Sequence, residues 1–170
     1  ASLHGQNASN NQSLQGFSRL LNVPVCTLSL ETPVADFNKM TDYDIMVVDV
    51  TAMPDEASQK IAAIKAHVGI NNIGIIATIP GSTSRAMIEL TMQRFADLAP
   101  MIALTKLDEC ETTASEFSAY VEQGARISIL SGTKSVIGAT IFASVNILLQ
   151  YLKENFSNHE AIIPTGTGLE

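Results

Sequence analysis

The chain has 170 residues, which is an ordinary length for one domain with its own hydrophobic core. Hydrophobic residues make up 46% of the chain and charged residues 16%, so the composition predicts a packed globular domain and excludes a disordered one. The net charge of -7 leaves no broad cationic face, and we therefore predict no nucleic-acid partner. The two cysteines, Cys26 and Cys110, have no metal-ligand spacing and predict neither a disulfide framework nor a metal site.

The apolar runs are too short to cross a membrane. The longest, Ile73 to Ile79, is the size of a strand, whereas a membrane helix needs about 20 residues. No basic and apolar leader is visible, and we expect a cytoplasmic protein. Because the first residue is Ala1 and the last ten residues end in Leu-Glu, we expect an excised chain with one domain over residues 1–160 and a disordered, cloning-derived tail over 161–170.

Strand-like and helix-like apolar patterns alternate along the chain. In chain order, the first half predicts a short strand at Leu3, a helix from Leu14 to Leu21, a strand from Val23 to Leu28, a helix from Val34 to Met40, a strand over Ile45 to Val48 and a helix from Ser58 to Val68. The second half predicts a strand from Ile73 to Ile79, a helix from Met87 to Leu98, a strand from Met101 to Leu104, a helix from Glu116 to Val121, a strand from Arg126 to Leu130 and a helix from Ile141 to Phe156.

This alternation predicts the fold class. Strands separated by helices imply a parallel sheet with helices on both faces, so we predict a three-layer, doubly wound α/β fold with a mostly parallel sheet. The uninterrupted apolar run from Ile45 to Val48 predicts a strand that is covered on both faces.

Ligands of doubly wound sheets bind at the carboxyl ends of the strands, and one strand here ends in Thr105-Lys106-Leu107-Asp108. The Asp108 carboxylate can accept hydrogen bonds from the ring N–H and the exocyclic amine of guanine, while the aliphatic stem of Lys106 lies over the purine face. Adenine does not offer these two donors. The alternative is a solvated Lys and Asp at the start of a helix.

A second small-residue segment follows the next strand along the chain. Ser131 and Gly132 predict a turn whose backbone N–H groups meet a base oxygen, with Gly132 allowing close approach. The alternative interpretation of Ser-Gly-Thr after a strand is a simple turn.

These segments together resemble a known family. Met92-Gln93-Arg94-Phe95, the strand Met101 to Leu104, the segment Thr105 to Glu109 and the Ser131-Gly132 turn resemble the second half of a signal-recognition-particle-type (SRP) GTPase domain, which has a P-loop NTPase fold. The flagellar-biosynthesis branch of that family, FlhF, is the most similar in these motifs. The resemblance covers roughly Tyr43 to Phe156.

The resemblance carries expectations about ligands, partners and location. It implies GTP and Mg²⁺ as ligands of the intact protein, with base contacts from Thr105, Lys106, Asp108, Ser131 and Gly132 and with Asp49 on the magnesium side. It also implies pairing with a second copy or a related GTPase, peripheral association with the inner face of the cell membrane, and a role in flagellar biosynthesis or protein targeting. The alternative is a degenerate GTPase fold that acts as a protein-interaction module without nucleotide turnover.

The chain also departs from the family pattern. It contains no G-x-x-x-x-G-K-[ST] motif. Because the first residue is not Met, we expect the first strand and the phosphate loop to lie upstream of Ala1; the alternative is a protein that never had them. The segment Asp49 to Met53 keeps the Asp of the family's Asp-Thr-Ala-Gly-Arg but lacks its Gly and Arg, so we name no catalytic residue and expect this chain to be inactive as a GTPase. His4 begins the segment that replaces the family's Asp-Thr-Tyr-Arg, and we expect a solvated imidazole there, with a phosphate contact as the alternative.

These departures yield a prediction about binding by the 170-residue chain. Phosphate contacts provide much of the affinity for a nucleotide, and the chain lacks the motif that makes them. We therefore expect no tightly bound GTP or Mg²⁺ on this chain. Isothermal titration calorimetry is the measurement, and micromolar or tighter GTP binding by the chain would contradict the expectation.

Overall fold

The alternation of strands and helices is present in the computed structural model, which describes residues 1–4, 12–40, 43–52, 54–110, 112–132 and 140–156. The chain divides into two compact units, Ala1–Gly74 and Ile75–Glu170. Each unit has its own sheet and its own buried cluster.

The first unit contains a small parallel sheet. Its elements are β1 (Ser2–His4), α1 (Gln12–Leu21), β2 (Thr27–Ser29), a 3₁₀ helix (Val34–Met40), β3 (Asp49–Val50), α2 (Pro54–Val68) and a 3₁₀ turn (Ile70–Asn72). The strand order is β2-β1-β3, and β1 is parallel to both neighbours. The buried side chains Leu3, Leu28, Phe37 and Ile64 form its core.

Helix α2 shows why the predicted helix ends where it does. Pro54 occupies the first helical position, and Asp55 and Glu56 lie in the first turn, where acidic side chains favour the positive end of the helix dipole. The helix ends at Val68, and Gly69 follows with a φ of 89°, a conformation that glycine adopts without steric cost. The predicted stop at Gly69 is confirmed.

The second unit contains a larger, mostly parallel sheet. Its elements are β4 (Ile76–Pro80), α3 (Arg85–Arg94), a 3₁₀ turn (Ala96–Leu98), β5 (Met101–Thr105), α4 (Ala114–Glu122), β6 (Arg126–Ser131), β7 (Thr140–Phe142) and α5 (Val145–Phe156). The strand order is β4-β5-β6-β7; the first three strands are parallel, and β7 runs antiparallel to β6. The predicted α/β class with a mostly parallel sheet is confirmed.

Strand β5 lies at the centre of this core. Its consecutive residues Ile102, Ala103 and Leu104 are all buried, as expected for a strand covered on both faces. The cluster around it includes one or more buried side chains from each neighbouring element, among them Ile88 of α3, Phe117 and Tyr120 of α4, Leu130 of β6 and Tyr151 of α5.

Helix α4 has a reciprocal cap at its start. The Thr113 hydroxyl and backbone N–H both donate to the Glu116 carboxylate. In turn, the Thr113 side chain accepts a hydrogen bond from the backbone N–H of Glu116. The hydrogen bond from the Thr113 hydroxyl lowers the pKa of Glu116 below its ordinary value. Beyond the helix, Gly124 has a φ of 63°, and the predicted end of this helix is confirmed.

The strand predicted over Ile45 to Val48 is wrong. The only strand residues here are Asp49 and Val50, and the side chains of Ile45 and Val47 are 80% and 77% exposed. The ladder with β1 pairs Ser2 with Asp49 and Leu3 with Val50, and the Ala1 amino group donates to the Val47 carbonyl. An apolar run predicts a buried strand only where other elements cover it, and among the described residues the side chains of Ile45 and Val47 are left uncovered.

Three other predicted boundaries are corrected. The predicted helix from Ile141 begins only at Val145, because residues 140–142 pair with β6 as β7; three residues are too few to separate strand from helix periodicity. The strand predicted from Val23 is confined to Thr27–Ser29, opposite the three residues of β1. Helix α3 ends at Arg94, and the chain reaches Leu98 through a 3₁₀ turn that ends at Ala99 in the left-handed region, before Pro100.

The fully buried position of Leu130 yields a stability prediction. We expect Leu130→Ala to lower the free energy of unfolding by about 2–5 kcal/mol. The change loses the hydrophobic burial of the removed carbon atoms and leaves a cavity in the core beside β6. Val121→Ala, at a position that is 77% exposed on α4, is the control and should stay within about 0.5 kcal/mol of the wild type. Urea unfolding with a shared m-value measures both, and equal losses would contradict this description of the core.

Candidate functional site

The carboxyl ends of β4, β5 and β6 lie at one edge of the second sheet, because the three strands are parallel. Backbone hydrogen bonds continue past the strand ends: the Gly81 N–H donates to the Thr105 carbonyl at 2.8 Å, and the Leu107 N–H donates to the Ser131 carbonyl at 3.2 Å. The structure therefore brings together Thr105, Lys106, Asp108, Ser131 and Gly132, the five residues that the sequence selects for base binding.

The segment from Thr105 to Cys110, here termed the Lys106 loop, turns sharply after β5. Lys106 has a φ of 56°, which is unusual for a residue with a side chain. Its carbonyl accepts the Glu109 N–H at 3.2 Å and the Cys110 thiol at 3.0 Å. The turn buries Leu107 in the core and leaves the side chains of Lys106 and Asp108 exposed.

Gly132 lies directly against the Asp108 side chain. A Cβ atom at position 132 would overlap the Asp108 carboxylate and would lie 3.0 Å from the Leu107 backbone nitrogen. Gly132 also has a φ of 81°, so two independent constraints favour glycine. Ser131 is the last residue of β6, not a turn residue as predicted, and Thr133 lies outside the described residues.

The charges around the Lys106 loop are mostly negative. The Lys106 ammonium lies 3.4 Å from the Glu109 carboxylate, and both side chains are largely exposed, so the pair contributes little stability and can separate readily. Burial raises the pKa of the Cys110 thiol, and the carboxylates of Glu109 and Asp108 raise it further. The thiol is therefore protonated at neutral pH and is a poor nucleophile.

Three residues of this edge were not selected from the sequence. Gly81 follows β4, Thr112 follows the Lys106 loop, and Tyr151 lies on α5; the Thr112 and Tyr151 hydroxyls are 3.4 Å apart, and both side chains are buried. In the sequence, Pro80-Gly81 is typical of a strand end, but a two-residue pattern does not indicate what packs against it.

The magnesium-side candidate belongs to the first unit. Asp49 is an exposed residue of β3, where its N–H donates to the Ala1 carbonyl at 3.0 Å. Of the segment that replaces the family's Asp-Thr-Ala-Gly-Arg, Met53 lies outside the described residues.

The expectation that His4 is solvated is wrong. Its imidazole is buried at the end of β1, with Nε2 2.8 Å from the Ser2 hydroxyl and Nδ1 2.7 Å from the Thr51 hydroxyl. The polar segment that follows His4 suggested a loop, but His4 itself is the last residue of the central strand of its sheet. Side chains alternate along β1, so Ser2 and His4 lie on the same face of the strand and the Ser2 hydroxyl can reach the imidazole.

The described residues hold no group of three or more His, Cys, Asp or Glu side chains that could bind a metal ion. Within the same residues, none of the helices combines the length and the apolar character that crossing a membrane requires.

The element order and the parallel pairing are those of a doubly wound α/β protein. Among solved structures, the chain is similar to the crystal structure of FlhF complexed with GTP and Mg²⁺, with a TM-score of 0.63 and 15% identity over 89% of this chain. The chain spans 60% of the length of that FlhF chain. No protein-family model and no curated protein matches the sequence. The likeness supports, at the level of the fold, the resemblance to SRP-type and FlhF GTPases that the motifs indicate.

The contact at Gly132 yields a second stability prediction. Gly132→Ala and Gly124→Ala both place a Cβ at a positive φ, which costs about 1–2 kcal/mol, but only position 132 has neighbours within 4 Å of that Cβ. We expect Gly132→Ala to lower the free energy of unfolding by about 1 kcal/mol more than Gly124→Ala, because the Leu107 backbone cannot rotate away. Chemical denaturation of the two variants measures the difference. Equal losses would contradict the close approach.

Proposed function

We propose that the chain is most of a guanine-nucleotide-binding domain of the FlhF type, with the guanine base recognised at the Lys106 loop. The observation that supports this most directly is the placement of an exposed carboxylate, Asp108, against the side-chain-free backbone of Gly132. The fold is that of a protein whose crystal structure holds GTP and Mg²⁺.

The chemistry of the Lys106 loop fits the edge of guanine. The two Asp108 oxygens accept hydrogen bonds from the ring N–H and the exocyclic amine, which are adjacent donors on guanine and not on adenine. The Lys106 stem covers the purine face once its exposed ion pair with Glu109 opens, at little cost. The segment from Ser131 to Gly132 supplies backbone N–H groups for the base oxygen. Thr105 is the last residue of β5, the strand that precedes the Lys106 loop.

The finer parts of the proposal rest on the likeness to FlhF and on the sequence motifs. They are Mg²⁺ binding with Asp49 on the magnesium side, pairing with a second copy or a related GTPase, and a role in flagellar biosynthesis or protein targeting. The location proposed with them is the cytoplasm, with peripheral association at the inner face of the cell membrane.

The test is nucleotide preference in the full-length natural protein with Asp108→Asn. The change replaces one acceptor with a donor that faces the guanine amine, so we expect GTP affinity to fall by the equivalent of about 1–3 kcal/mol. Xanthosine triphosphate carries a carbonyl in place of that amine, and its affinity should rise in the variant. Calorimetry with GTP, ATP and xanthosine triphosphate measures the change.

Asp97→Asn is the matched control. It makes the same charge change at an exposed residue just before β5, at the opposite end of the strand that carries Asp108, and should leave all three affinities unchanged. An unaltered preference for GTP over ATP in Asp108→Asn would contradict the base-contact assignment. A wild-type protein that binds none of the nucleotides would contradict the proposed function and favour the protein-interaction module.

A further inference from the structure

Gly81, in the turn after β4, lies where a side chain would collide with the segment that follows β5. A Cβ atom at position 81 would be 2.8 Å from the Cys110 sulfur, 2.8 Å from a Leu107 methyl carbon and 3.1 Å from the Thr112 hydroxyl oxygen. Real Cβ atoms essentially never approach heavy atoms within 3.0 Å. Gly81 thus leaves the space that three side chains of a neighbouring segment occupy.

Two of these side chains determine the shape of the Lys106 loop. Leu107 is buried in the core cluster and lies between Lys106 and Asp108 in the chain. Cys110 donates its thiol hydrogen to the Lys106 carbonyl at 3.0 Å. Because Lys106 has a positive φ, a conformation that persists only where the surrounding contacts maintain it, displacing either side chain relaxes the loop.

The third side chain ties the same turn to helix α5. The Thr112 hydroxyl lies 3.4 Å from the Gly81 carbonyl oxygen and 3.4 Å from the Tyr151 hydroxyl, and both side chains are buried. On the other side of the loop, a Cβ at Gly132 would lie 3.0 Å from the Leu107 nitrogen. The Lys106 loop is therefore packed between two glycines, one after β4 and one after β6.

We propose that Gly81 is a positioning residue for purine recognition: its missing side chain seats Leu107 and Cys110, which hold the Asp108 carboxylate in the orientation that binds guanine. Gly81 itself does not touch the base. The inference rests on the proposed function of the Lys106 loop, and it adds a residue from a different strand to the determinants of base specificity.

The experiment compares GTP and ATP binding by the full-length natural protein and Gly81→Ala. We expect the preference for GTP over ATP to fall on the order of tenfold, the loss typical of a misaligned charged hydrogen-bond pair, while ATP affinity stays nearly constant. Gly16→Ala is the control, because a Cβ at position 16 meets nothing within 4 Å. Its GTP-over-ATP preference should equal that of the wild type.

A double-mutant cycle identifies the cause. Cys110→Ala removes the hydrogen bond to the Lys106 carbonyl and should lower the preference by itself, but it also removes the sulfur that the new methyl group would meet. Gly81→Ala/Cys110→Ala should therefore lose less preference than the sum of the two single changes. If Gly81→Ala does not fold, Cys110→Val is the second variant. It places a branched side chain against Gly81 from the other side of the contact and should also lower the preference for GTP over ATP.

The outcomes separate this inference from the proposed function. If Gly81→Ala weakens GTP and ATP binding in equal proportion, or leaves the preference unchanged, Gly81 is not a positioning residue. If the wild type shows no GTP preference, the proposed function fails, and amide chemical shifts of the nucleotide-free protein then decide the structural part. Shifts at Leu107, Asp108 and Gly132 in Gly81→Ala support the packing described, and shifts confined to residues 79–83 overturn it.

Discussion

The close approach of Gly132 to Asp108 is the contact on which the candidate site depends, and the register between β5 and β6 determines it. Met101 and Ile102 pair with Arg126 and Ile127, but the pairing then shifts by one residue, so that Leu104 lies opposite Leu130. The skipped residue, Ser128, donates its hydroxyl to the Ile102 carbonyl at 3.2 Å. Without the shift, the end of β6 would lie one residue further along the edge, about 3.3 Å away, and Gly132 would not meet Asp108.

The Lys106 loop combines local strain with good packing. A lysine with a positive φ is unfavourable by itself, yet its carbonyl accepts two donors, and Leu107, the next residue, is anchored in the core. The loop thus holds two exposed side chains, Lys106 and Asp108, on a backbone with little freedom. Such a conflict between local preference and tertiary packing is typical of sites that serve binding.

Part of this arrangement could be predicted from the sequence. Regular apolar spacing located the helices and β5, and the rule that parallel strands end at one edge selected Asp108 and Gly132 as neighbours. The apolar sequence pattern did not predict the structure where the elements packed against a segment determine its conformation. Ile45 and Val47 are apolar but exposed in the part of the chain that the structure describes, and the three residues of β7 are too few to show a period. Gly81 was missed because its role depends on side chains about 30 residues away in the chain.

The residues selected from the sequence have different surroundings in the two units. In the second unit, the five residues that the sequence selects for base binding converge at the carboxyl ends of the strands. In the first unit, His4 engages both ring nitrogens with Ser2 and Thr51, so the imidazole serves the packing of β1 against the segment after β3. Both ring nitrogens lie within hydrogen-bond distance of a hydroxyl, so neither is left for a phosphate oxygen. The sequence also lacks the Gly and Arg that follow the Asp in the SRP-type pattern, so under the proposed function the residues for base selection match that pattern more completely than the residues for hydrolysis. Selection of guanine needs only a fixed carboxylate, whereas phosphoryl transfer needs several charges placed around one phosphate.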